Sequence, residues 1–352
     1  MLRILFMMLI FAVITAGFTA SGLRAQSPTG DPEKKGYNLL LLGKEAAEKG
    51  SLDDAISFLQ KACDLLPENA EAIYYLGICY CRQGNYIRGI ELLEESHART
   101  LDPDILIPIK NAYFMNGLQL ARNKQYDNAI KSFTRVVEID PDDGKAYFNR
   151  GVSYMTRDDF ENAVIDFDSA MKRGFTNVQM SFNRAVALEK LGRSQDAMEI
   201  YTKIVQDDPL FAPAHYNLAK LKEHGIFESG EYDRSARDAV YHYQRALEID
   251  PSFYEAAFNI SDIYYARGDL TVAIKWLRKS VELNEDFLQG YLYLAKLYIE
   301  KGAYNNALSQ VEILEKKGYT LAEIKQLREK IYQMSGLTSS SPVENERDDG
   351  RN

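Results

Sequence analysis

Eight small residues recur at one phase along the chain: Ala55, Gly89, Ala129, Ala163, Ala197, Ala239, Ala273 and Ala307, at intervals of 34, 40, 34, 34, 42, 34 and 34 residues. A fixed period of that length marks one helix-turn-helix hairpin, which buries its apolar face only by stacking on its neighbours. The 352 residues therefore read as one array that grows in one dimension, and 46% hydrophobic residues suffice for a continuous core along it. An array of this kind offers a long surface and few enclosed pockets, which suits recognition better than chemistry.

Within the first unit, Asn38 to Ala47 is helical by content and Gly50 breaks it. Leu52 to Leu66 then carries Ala55, Leu59 and Ala62 at helical spacing until Pro67 stops it. Later units repeat the plan and often end in Asp-Pro, as at Asp140-Pro141, Asp208-Pro209 and Asp250-Pro251. A second small series, Gly43, Gly77, Gly117, Gly151, Ala185, Ala219, Ser261 and Ala295, runs in step twelve residues or more before the first. This pattern resembles the tetratricopeptide repeat, over residues 36–319. In that family small residues stand at positions 8 and 20 of the unit, and aromatic or large aliphatic residues stand at position 24. The resemblance implies an all-α fold, a right-handed superhelical solenoid of about eight helix-turn-helix repeats whose paired helices cross where neither carries bulk.

The two long intervals are departures from the period. Leu101 to Pro108 lengthens the connector between the second and third units. Gly225 to Asp233 is inserted inside the sixth, either as a loop offering Phe227 and Tyr232 to a partner or as an elongated turn or extended second helix. After the last hairpin, Leu321, Ile324, Leu327, Ile331 and Met334 keep helical spacing, which predicts a capping helix over the final apolar face.

At the N-terminus a lone Arg3 precedes the apolar run Ile4 to Ala16 and then small residues through Gly22. Residues 1–25 read as a cleaved export signal; the 17 residues from Ile4 to Ala20 also reach the lower limit of a retained anchor. Residues 26–35 form a linker, 36–335 the solenoid with its capping helix, and 336–352 a disordered tail too polar to bury itself. The expected location is periplasmic or cell-envelope, with inner-membrane anchoring as the alternative. In such a compartment Cys63 would pair with Cys79 or Cys81, or all three cysteines would serve as small buried apolar residues.

A net charge of −9 argues against nucleic-acid binding, which needs a basic face. There is no phosphate loop, nucleophile elbow, His-Glu-x-x-His helix or paired-cysteine ligand set, and His97, His215, His224 and His242 have no metal-ligand spacing. The expectation is a protein without catalytic residues, metal or cofactor, whose partner is a protein or peptide segment and which meets a membrane only if the N-terminal segment is retained.

Position 6 of four successive units is Asn: Asn149, Asn183, Asn217 and Asn259. The resemblance implies that first helices line a concave surface, so these amides would form a ladder similar to that of the O-linked N-acetylglucosamine transferase superhelix. A primary amide both donates and accepts, and can pair with the backbone of an extended peptide. Lys145, Lys190 and Lys220, with Lys44, Arg82 and Arg122, add cations on neighbouring groove-side positions, either to attract an acidic or C-terminal segment or as ordinary solvated charge. The carboxylate clamp of chaperone-binding relatives is not matched, because its slots hold Leu40, Lys44, Tyr75, Asn111 and Met115. The functional expectation is an envelope scaffold or adaptor that holds a partner segment in the concave groove; the alternative is a membrane-anchored structural component of a larger envelope assembly.

Overall fold

The computed structural model describes residues 31–229, 232–319 and 322–336, and among the described residues there are seventeen α-helices and no strand. The chain divides into two compact units, residues 1–119 and 120–352. In the first, α1 (Pro32–Glu48) packs on α2 (Leu52–Leu65) and α3 (Ala70–Gln83) on α4 (Tyr86–Thr100). A 3-10 turn at Pro103–Ile105 then leads into α5 (Leu106–Arg122), within which the division falls. The second holds α6 (Tyr126–Ile139) and the hairpins α7 (Gly144–Thr156) with α8 (Phe160–Lys172) and α9 (Val178–Lys190) with α10 (Ser194–Asp207). It continues through α11 (Ala212–Ser229) with α12 (Tyr232–Ile249), α13 (Tyr254–Ala266) with α14 (Leu270–Leu283), α15 (Leu288–Lys301) with α16 (Tyr304–Lys316), and finally α17 (Ala322–Ser335).

In the hairpins α1–α2, α3–α4, α7–α8, α9–α10, α11–α12, α13–α14 and α15–α16 the small residue lies on the second helix, which packs on the first. Ala55, Ala129, Ala163, Ala197, Ala239, Ala273 and Ala307 have no exposed surface. At the α3–α4 crossing both sides are glycine, and a Cβ on Gly89 would fall 2.3 Å from Cys81 Sγ and 2.9 Å from the Gly77 carbonyl oxygen. Four residues beyond each small residue stands a large one. Leu59, Leu93, Phe133, Phe167, Tyr201, Tyr243, Leu277 and Val311 are all buried to 1% exposure or less. Burying each contributes about 1.5–3 kcal/mol.

In seven of the eight repeats the turn between the two helices holds one residue in the left-handed region. Gly50, Gly84, Gly192, Gly268 and Gly302 supply it at equivalent positions, where a side chain would otherwise be strained. In the third and fourth units the same position is Lys124 at φ 60° and Asp158 at φ 58°, so the backbone conformation is imposed by packing and not by residue type.

Some elements differ from the sequence reading, and others choose between its alternatives or match it. The segment read as a linker to residue 35 is already helical from Pro32, with Pro at the first helical position and the Asp31 side chain capping the Glu33 amide at 3.0 Å. The connector from Leu101 to Pro108 is only partly a connector, because α5 starts at Leu106 and Ile105 is buried. The insertion in the sixth unit lengthens both helices: α11 and α12 each run 18 residues, where most others in this unit have 13 or 14. The cysteines are free thiols, and burial pushes Cys63 and Cys79 up to about 11 and Cys81 to about 12. In α17, Ile324 and Ile331 are fully buried against Leu314 and its neighbours, while Met334 is exposed. Residues 1–25, read as a signal or anchor, and residues 337–352, read as a tail, lie outside the described residues, and among the described residues no helix is long and apolar enough to cross a membrane.

Candidate functional site

First helices touch one another at α1 on α3 and at α7 on α9, and helical spacing sets position 6 of α7, α9, α11 and α13 on the same face of each, a strip along the first helices of each unit. The asparagines lie on that strip in the second unit, and the tertiary structure sorts them into two pairs. Asn217 Nδ2 donates to the Tyr201 hydroxyl at 3.1 Å, and Asn259 Nδ2 to the Tyr243 hydroxyl at 2.9 Å. Each hydroxyl in turn donates to a carboxylate on the first helix of its own hairpin, Tyr201 to Glu189 Oε2 at 3.2 Å and Tyr243 to Glu223 Oε2 at 2.5 Å. Burial, reinforced by the carboxylate each phenol faces, raises both phenols above their ordinary value. These Asn-Tyr-Glu chains tie one hairpin to the next, which leaves Asn217 and Asn259 already engaged.

Asn149 and Asn183 follow hairpins that carry Phe133 and Phe167 in place of tyrosine, and so have no hydroxyl to meet. Asn149 Nδ2 donates to the Lys145 carbonyl oxygen at 2.8 Å, and Asn183 Oδ1 accepts from Gln179 Nε2 at 2.8 Å. Asn183 is buried to 8% exposure. Lys145 and Lys190 are exposed and have no ion pair among the described residues, whereas Lys220 lies 3.5 Å from Glu189 Oε1. Of the other cations, Lys44 is paired with Glu71 at 2.7 Å and Arg82 donates to the Ala47 carbonyl oxygen at 2.7 Å. The cationic bias on this strip is thus partly neutralised from within.

Beside the asparagines runs a buried pair. Arg150 holds Asp166 through both oxygens, at 2.7 and 2.8 Å, and also donates to Thr134 Oγ1 at 3.1 Å. Burial raises the Asp166 carboxyl, partly countered by the guanidinium.

Sequence spacing missed one constellation. His215 and His242, 27 residues apart, meet at Nδ1···Nδ1 3.0 Å, and His215 Nε2 lies 3.2 Å from the Pro209 carbonyl oxygen. A carbonyl only accepts, so His215 carries its proton on Nε2 and its Nδ1 accepts from His242 Nδ1–H. The ring centroids are 5.2 Å apart, so the two nitrogens point end-on at each other. That is the geometry of a shared proton, not of two lone pairs converging on a metal ion. Among the described residues no group of three or more His, Cys, Asp or Glu side chains is arranged to hold a metal.

Family models described as tetratricopeptide repeat match residues 114–176, 228–286 and 180–210, and one described as anaphase-promoting complex, cyclosome, subunit 3 matches residues 48–106. The chain is 22% identical over 324 residues to Protein CTR9 homolog of Arabidopsis thaliana, covering 78% of this chain and 28% of that protein. It is 22% identical over 323 residues to a TPR repeat-containing protein of Methanocaldococcus jannaschii, covering 82% and 54%. The chain therefore spans little more than half of the one relative and under a third of the other. Among solved structures it is similar to Pseudomonas aeruginosa pilF at a TM-score of 0.49 and 16% identity, covering 63% of this chain and 97% of that one.

Proposed function

The chain belongs to the tetratricopeptide repeat family, and from that membership we propose that it is a non-catalytic scaffold which holds a segment of a partner protein against the first helices of its second unit. The observation that carries this reading is the contrast within the asparagine series. Asn217 and Asn259 are engaged by tyrosine, while Asn149 Oδ1 and Asn183 Nδ2 have no partner among the described residues and lie on the strip that carries the unpaired Lys145 and Lys190. An extended backbone offers N–H and C=O groups in turn, which a free amide oxygen and a free amide nitrogen complement. The cations favour a segment of acidic character.

The same proposal places the protein in the bacterial cell envelope, supported by the Arg3, Ile4–Ala16 and small-residue sequence at the N-terminus. Retention of that segment would make the chain a membrane-anchored component of a larger assembly. Intact mass from the native cell separates the two, since cleavage of an export signal removes roughly 2–3 kDa.

A photocrosslinker placed at Lys145 or Lys190 in intact cells tests the scaffold reading. The expected adduct is one partner protein, and it is lost in the Asn149→Ala/Asn183→Ala variant while helicity and melting are retained. An adduct that persists unchanged in that variant overturns the assignment of these amides.

A further inference from the structure

The histidine pair forms part of the wall of a half-open pocket of about 630 Å³ between α10, α11 and α12. The volume is in the range of small-ligand sites. Its lining mixes apolar surface from Val205, Pro209 and the exposed Tyr241 ring with the polar Thr202 and Gln206 and the cations Lys222 and Arg245, while Leu218 beneath is almost fully buried. No carboxylate is among the described residues that line it, in a chain whose net charge is −9.

The two cations have capacity to spare. Lys222 Nζ lies 3.2 Å from Asp238 Oδ2, and Arg245 donates through one guanidinium nitrogen to Glu248 Oε2 at 2.6 Å. Both carboxylates are more than half exposed and stand outside the cavity lining, so these pairs are weak and each cation keeps further donors for a second acceptor. His215 has both ring nitrogens engaged, and His242, which donates its one N–H to His215, leaves only an acceptor nitrogen, so the donors for an anion here are Lys222 and Arg245.

We propose that this pocket is a binding site for an aliphatic carboxylate, with the acid group on Lys222 and Arg245 and the hydrocarbon against Val205, Pro209 and the Tyr241 ring. The charge distribution selects an anion, and the apolar part of the lining favours a carboxylate with a hydrocarbon body over a bare inorganic anion. The site lies off the asparagine strip and does not depend on the scaffold reading. A free fatty-type acid and the C-terminal residue of a peptide share this chemistry.

Isothermal titration of the full chain with hexanoate, hexanamide and inorganic phosphate tests it. Hexanoate is expected to saturate one site, about tenfold or more tighter than either comparison compound, as loss of a charge-assisted hydrogen bond or of the apolar contact requires. The Lys222→Gln/Arg245→Gln variant is expected to lose about tenfold in hexanoate affinity or more with unchanged helicity. Equal binding of hexanamide, equal binding of phosphate, or undiminished binding by a folded double variant each overturns the proposal. If that variant loses helicity, the contrast between acid and amide in the wild type decides. An acetylated peptide ending in a free Leu carboxylate, compared with hexanoate, assigns the source: the tighter of the two identifies a chain end or a free acid.

Discussion

The Asn217 amide donates to the Tyr201 hydroxyl sixteen residues earlier, and Asn259 does the same to Tyr243, so one bond recurs across two successive hairpin junctions. Each hydroxyl passes the bond on to a glutamate, Glu189 or Glu223, which makes the tyrosine the centre of a three-member chain.

Tyr201→Phe is expected to cost about 1 kcal/mol, because it removes two hydrogen bonds around a buried ring without changing its shape. Asn217→Ala should cost a similar amount, and the two together less than the sum, since both delete the same contact. Asn149→Ala, whose amide bonds only its own helix, should stay within about 0.5 kcal/mol. Urea unfolding of the four variants measures this, and strict additivity of the first two would exclude the chain as described.

Gly89→Ala places a methyl against the Cys81 sulfur and the Gly77 carbonyl, where the backbones of α3 and α4 leave no room. The expected loss is about 1–3 kcal/mol by overpacking. Adding Cys81→Ala removes the nearest atom and should recover part of it, but not all, because the Gly77 oxygen remains 2.9 Å away. Melting curves of the single and double variants give the comparison.

Lys124 occupies the left-handed turn position that glycine fills in five other units. Relief of that strain makes Lys124→Gly stabilising by about 1 kcal/mol, net of the extra chain entropy glycine brings to the unfolded state. Gly192→Ala, where a Cβ meets nothing within 4 Å, isolates the same backbone penalty with the opposite sign. A neutral or destabilising Lys124→Gly would mean that the lysine side chain outweighs the strain.

Burial holds the His242 imidazole down at about 4, helped by the facing His215 and Lys222 and opposed by Asp238, and burial also lowers His215. The folded state therefore favours the neutral ring. The unfolded chain binds more protons between pH 6.5 and pH 4, so stability is complete above 6.5 and falls as pH drops through that window, by at most about 3 kcal/mol from His242. Urea midpoints measured across that range should fall less steeply in His242→Gln than in the wild type. Parallel profiles would contradict the linkage.

Most of the fold was legible because a steric demand recurs at every helix crossing: wherever two backbones approach, as at Gly77 and Gly89, the sequence must supply a small residue, and it does so with a countable period. The position of the asparagines was legible for the same reason, but their bonding was not. Whether an amide is free depends on a hydroxyl sixteen residues away, present in Tyr201 and Tyr243 and missing in Phe133 and Phe167, a difference that periodicity alone treats as equivalent. The insertion in the sixth unit was ambiguous because residues able to form a loop were also able to extend a helix, and α11 and α12 took the second course.

The sequence by itself determined the repeat, the helix pairing and the residues at each crossing, since those follow from local period and local volume. Only the tertiary structure decided which polar groups meet: Asn217 with Tyr201, Arg150 with Asp166, and His215 with His242 across 27 residues. Hydrogen bonds need donor and acceptor within about 3 Å and in line, and that condition is met only once the hairpins stack, which is what turns a recurring sixteen-residue step into a bond.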